Sequence, residues 1–133
     1  MVGASCFCGN IGMNFDGEPL AHIICHCLDC RKISGGHFTD LILLDESVFR
    51  VRTGTPRSFT KTNDSGKPIT HYFCGDCGSM LYRKTPSMPG KLLFLSGMID
   101  DPEWTQSHPP REEIFAQRKA AWMPQICRLP GSP

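Results

Sequence analysis

The order of apolar and polar positions along the chain reads as short strands separated by glycine- and proline-bearing turns. Residues 11–15, 20–25 and 38–44 are apolar and partly β-branched, with Gly17-Glu18-Pro19 and Gly35-Gly36 between them. Residues 48–51, 57–61 and 69–73 continue the series, punctuated by Thr53-Gly54-Thr55-Pro56 and Asp64-Ser65-Gly66-Lys67-Pro68. Residues 79–83 and 91–96 complete it, on either side of Pro86-Ser87-Met88-Pro89-Gly90. The period of two is imperfect, which places boundaries only to within a few residues. Helix is scarce. Residues 28–33 predict a single turn. Residues 111–121 predict either a longer helix or an extended tail crossing the surface. Glu112 and Glu113 early with Arg118 and Lys119 late suit a helix dipole, but the apolar residues there form no clean stripe. The fold class expected is mainly β, with antiparallel sheets and little helix. One domain over 1–127 and a C-terminal tail over 128–133 account for the chain.

Length and charge narrow the partners. A chain of 133 residues can bury a core of its own. Fourteen basic residues against thirteen acidic ones leave a net charge of +1. That balance supplies no electrostatic footprint for nucleic acid or an anionic membrane surface. No apolar run approaches the roughly 18–20 residues of a membrane helix, and the first ten residues lack the pattern of a secretory signal. The expectation is a cytoplasmic protein with a small-molecule partner, no membrane and no nucleic acid.

The cysteines change the picture most. Seven of the eight fall in three tight groups: Cys6-Phe7-Cys8, Cys25-His26-Cys27-Leu28-Asp29-Cys30 and Cys74-Gly75-Asp76-Cys77. Cysteines one or two residues apart rarely cross-link to each other, because disulfide geometry restricts the approach of their α-carbons. They readily point at one shared ion about 2.3 Å from each sulfur. Two zinc ions per chain are the expected cofactors. Seven ligands do not divide into closed sets of four. Cys6 and Cys8 could join Cys74 and Cys77, leaving Cys25, Cys27 and Cys30 as an open set. Equally, Cys6 and Cys8 could join two of the triplet, leaving the third to Cys74 and Cys77. Spacing does not choose. The distinction matters because structural zinc is normally closed by four protein ligands, whereas catalytic zinc keeps a position for water or substrate.

The ordered set Cys6-Phe7-Cys8-Gly9, Cys25-His26-Cys27-x-x-Cys30-Arg31-Lys32 and Phe73-Cys74-x-x-Cys77-Gly78-Ser79 resembles the glutathione-dependent formaldehyde-activating enzyme family, which includes centromere protein V. The likeness runs from the first group to the tail around Arg118 and Trp122. It implies a β-rich, zinc-clamped fold of the Mss4-like kind. It also implies one zinc on Cys6, Cys8, Cys74 and Cys77 and a second on Cys25, Cys27 and Cys30.

An open zinc would lower the pKa of a substrate thiol and hold it for attack on a carbonyl. The family resemblance therefore implies a carbon–sulfur lyase-type enzyme acting on a glutathione adduct or a small carbonyl metabolite. Arg31 is a candidate for binding an anionic substrate and offsetting thiolate charge, with Lys32 beside it. His37, after two glycines, is the candidate for proton transfer. Trp122 is a candidate wall of the substrate site. His26, inside the triplet, is expected to pack behind the metal. Cys127 reads as a lone thiol. The alternative function is a non-catalytic module in which both zincs are architectural and the surface recruits a protein or nucleic acid.

Overall fold

A computed structural model describes residues 1–63 and 66–127; the expected tail over 128–133 and the turn residues Asp64 and Ser65 lie outside the described residues. The chain is mainly β, with ten strands in two sheets and two short helices among the described residues. The small sheet is antiparallel. It consists of β1 (Val2–Ser5), β2 (Gly12–Phe15) and β5 (Phe49–Thr53), in that order. The large sheet contains β3 (Ala21–Cys25), β4 (Thr39–Asp45), β6 (Arg57–Thr62), β7 (Pro68–Phe73), β8 (Met80–Lys84), β9 (Lys91–Leu95) and β10 (Glu112–Ile114). Its order is β10-β3-β4-β9-β8-β7-β6.

The central strands explain why alternation was imperfect in the sequence. In β4, Ile42 and Leu44 join the core shared with the small sheet, alongside Phe15, Leu81, Leu92 and Phe94. Their neighbours Leu41 and Leu43 face the other way, into a second cluster with Cys25, Cys30, Leu93 and Leu95. Both faces of β4 and β9 are covered, so their sequences read as continuous apolar runs. At the sheet's far edge, β6 is covered on neither face, and all six of its residues are exposed.

Two helices punctuate the chain. The first, α1 (Leu28–Ser34), ends at Gly35, whose φ of 72° lets its N–H reach the Arg31 carbonyl at 2.9 Å. The second, α2 (Pro102–Ser107), starts on an Asp101 cap that accepts from the Glu103 N–H at 3.0 Å, with Pro102 as its first residue. It buries Trp104 against Phe15.

The helix considered for residues 111–121 does not form. Its first residues make β10, which pairs parallel to β3, with Glu113 opposite Ile24. The pairing satisfies backbone groups that a helix without an apolar stripe could not have buried. This edge pair is parallel, while the other strand pairs of the two sheets are antiparallel as expected. No helix among the described residues is long and apolar enough to cross a membrane.

Candidate functional site

The seven grouped cysteines gather at two places. The sulfurs of Cys6, Cys8, Cys74 and Cys77 all lie within 4.8 Å of one another. Those of Cys25, Cys27 and Cys30 do likewise, and no further histidine, cysteine or carboxylate among the described residues joins them. Cys127 is buried elsewhere, its N–H donating to Glu113 Oε2 at 3.0 Å.

The four-cysteine group is built from two facing turns. The first follows β1, where Gly9 at φ 82° donates its N–H to the Cys6 carbonyl at 3.1 Å. The second follows β7, where Gly78 at φ 80° donates to the Cys74 carbonyl at 2.8 Å. A side chain at either glycine would be strained by that backbone. Asn10 Nδ2 donates to Asp76 Oδ2 at 2.9 Å, and the Phe7 N–H donates to Ser79 Oγ at 3.0 Å, so the two turns are also joined by hydrogen bonds. The group thereby couples the small sheet to the large one. Sulfur separations of 3.6 Å for Cys6–Cys8 and 3.8 Å for Cys8–Cys74 can be tested against an ion. Four sulfurs about 2.3 Å from a tetrahedral metal stand about 3.8 Å apart. The group fits zinc. Hydrogen bonding to Ser79 holds the Cys77 thiol down at about 6, favouring the thiolate a metal needs.

The triplet sits where β3 runs into α1. Cys27 caps α1, its sulfur accepting from the Cys30 N–H at 3.2 Å. Cys30 is fully buried and receives two further donors, Thr39 Oγ1 at 3.0 Å and Arg83 Nη1 at 3.2 Å. Hydrogen bonds from Cys25 and Cys27, aided by the Arg83 charge and Thr39, hold the Cys30 thiol down at about 2. Cys25 moves the opposite way, because its proton is shared toward Cys27 and Cys30. One thiolate is therefore favoured even without a metal, and Cys27 is the partly exposed member that opens the group to solvent.

Behind the triplet, His26 is wholly buried, and its Nε2 lies 2.8 Å from Glu113 Oε1. Glu113 also accepts from Ile126 N at 2.9 Å and from Lys119 Nζ at 3.4 Å. Burial raises the Glu113 carboxyl, but the donors from Cys127, His26, Ile126 and Lys119 outweigh it and hold the group down at about 2.

The other candidate residues take different positions. Arg31 and Lys32 are on α1, half-buried and exposed respectively; the cation that touches a triplet sulfur is Arg83. His37 is exposed and stands edge-on to Trp122, ring centroids 4.9 Å apart, while Trp122 itself is 68% exposed. His71, which no spacing marked, is buried on β7 directly opposite Arg83 on β8. Burial, and then the Arg83 charge, lower its pKa and favour the neutral imidazole. A signal for Arg83 did exist. An arginine within the Met80–Lys84 strand requires an anionic partner if it is buried.

The model of the glutathione-dependent formaldehyde-activating enzyme family matches residues 1–118. The chain belongs to that family. No curated protein matches it. Among solved structures, the chain resembles a Rhodobacter sphaeroides protein determined by crystallography in a structural-genomics programme. The two are 20% identical with a TM-score of 0.58, over 76% of this chain and 92% of that one. At that identity the likeness speaks for the fold alone.

Proposed function

We propose that this family member is a zinc-dependent enzyme of carbon–sulfur lyase type, acting at the cysteine triplet on a glutathione adduct or a small carbonyl compound. The observation that carries the reading is the contrast between the two groups. Four sulfurs close one of them, whereas three sulfurs, one partly exposed, make the other beside a buried arginine. A zinc ion on Cys25, Cys27 and Cys30 would supply Lewis acidity and lower the pKa of a thiol in the remaining position.

The protein's own groups then have defined tasks. Three thiolates around a dication sum to −1, and Arg83 brings the local charge back toward neutrality. Thr39 and Arg83 fix the Cys30 sulfur in place by hydrogen bonds, as outer partners of a metal ligand do. In the forward direction a thiolate electron pair forms the bond to the carbonyl carbon, and the carbonyl π pair moves to oxygen and takes a proton. His37 is the group proposed to deliver that proton, and the reverse sequence breaks the bond. It lies two residues from Thr39, in the segment that joins α1 to β4. Trp122 packs on His37 and offers its exposed face to substrate, while Arg31 is the proposed partner for a substrate carboxylate.

Metal analysis and thiol titration test this together. Protein purified without chelator should carry about two zinc ions per chain, and glutathione should bind with release of a proton, more tightly as pH rises toward the thiol's own pKa. A reproducible single zinc, or two zincs with no response to any thiol, rejects the enzyme reading in favour of a binding module.

A further inference from the structure

Arg83 is 3% exposed, yet it uses only part of its guanidinium. Nη1 donates to Cys30, while Nε and Nη2 are buried without a hydrogen-bond partner among the described residues. These are not arbitrary atoms. The Nε–H and one Nη2–H run parallel along one edge of the planar group, the fork that binds a carboxylate through two hydrogen bonds. His71 is the cross-strand neighbour of Arg83, and its Nδ1 is likewise buried without a partner among the described residues. Three donor-capable positions on adjacent strands are thus enclosed and unused, and leaving such groups unpaired is costly.

We propose that Arg83 and His71 form a carboxylate subsite beside the cysteine triplet, which selects a substrate carrying a carboxylate close to its reacting sulfur. The proposal rests on the reading of the triplet as a thiol-accepting site. Arg83 then bridges two anions, with Nη1 on the Cys30 sulfur and the Nε/Nη2 edge on the incoming carboxylate, and His71 Nδ1–H donates alongside. Arg83 also borders a crevice with Leu43, Thr85, Met88 and Leu93 that is closed to a water molecule as it stands. A carboxylate reaching Arg83 from that side would have to displace Met88, an unbranched and adaptable side chain in the loop between β8 and β9.

The test compares three probes on the zinc-loaded protein: mercaptoacetate, 2-mercaptoethanol and acetate. Mercaptoacetate should bind about 10- to 100-fold more tightly than 2-mercaptoethanol, the margin of a charge-assisted fork. In Arg83→Lys, which keeps the charge and loses the fork, that ratio should collapse to a few-fold. His71→Ala should reduce it as well, and it carries the comparison if Arg83→Lys loses its zinc. Acetate alone should shift the Arg83 Nε–H resonance. Equal binding of the two thiols overturns the subsite while leaving the thiol site intact. Failure of both thiols on zinc-loaded protein overturns the enzyme reading instead. An unmoved Arg83 resonance in acetate overturns the subsite whatever the thiols do.

Discussion

Glu113 is 0% exposed and takes donors from a histidine ring, a lysine and two backbone N–H groups. Its carboxyl is held down at about 2 from an ordinary 4.5, so its contribution to stability is present above about pH 4.5 and is lost as pH falls toward 2. Glu113→Gln should lower stability near neutrality by about 2 kcal/mol, because hydrogen bonds to a buried charge are replaced by weaker ones. It should also flatten the stability profile between those two pH values. Thermal melts across the acid range check both; a parallel displacement of the whole curve would contradict the assignment. None of this was legible in the sequence, where Glu113 read as the acidic start of a helix. Its partners His26 and Cys127 lie 87 and 14 residues away, a proximity that only the folded chain creates. Arg83 carried a signal in its strand position, but which partner it takes was hidden for the same reason, the Cys30 sulfur being 53 residues distant. The seven grouped cysteines were legible because ligand spacing is a local property.

The two cysteine groups differ in the loops they close. A metal on the first would span 66 positions between Cys8 and Cys74 and join β1 to β7. One on the triplet closes only the six residues from Cys25 to Cys30. Treated as cross-links, the two would be worth about 4 and about 2 kcal/mol in loop-closure entropy. Cys74→Ser should therefore lose most of the cooperative fold together with its metal. Cys27→Ser should lose one zinc and thiol binding while melting as a folded protein. Paired zinc counts and melts decide, and equal unfolding of both variants would contradict the division of roles. Among the elements, β2 to β9 matched the apolar segments and turn residues of the sequence. The misses were β1, α2 and β10, all short. Val2–Ser5 and Glu112–Ile114 have too few residues to show a period and exist through their partners in the sheets. The α2 start did carry a local signal, Asp101 followed by Pro102.

At the scale of the whole molecule, the two cysteine groups are completed at different times as the chain is made. Five of those cysteines are in the first thirty residues, and Cys74 and Cys77 arrive last. At about 5–20 residues per second, Cys6 and Cys8 wait several seconds on the ribosome for their partners. During that interval the nascent chain can form the other pairing that spacing allows, Cys6 and Cys8 with two members of the triplet. A metal caught there must be surrendered before the small sheet can dock. Excess zinc present from the first moment of refolding should therefore slow recovery of the native melt, and a weak chelator that keeps exchange rapid should restore its speed. Equal rates with early and late zinc would show that the sheets assemble before any metal commits. Were early zinc to slow recovery, the timing of metal supply would set the yield of folded protein as well as the amount.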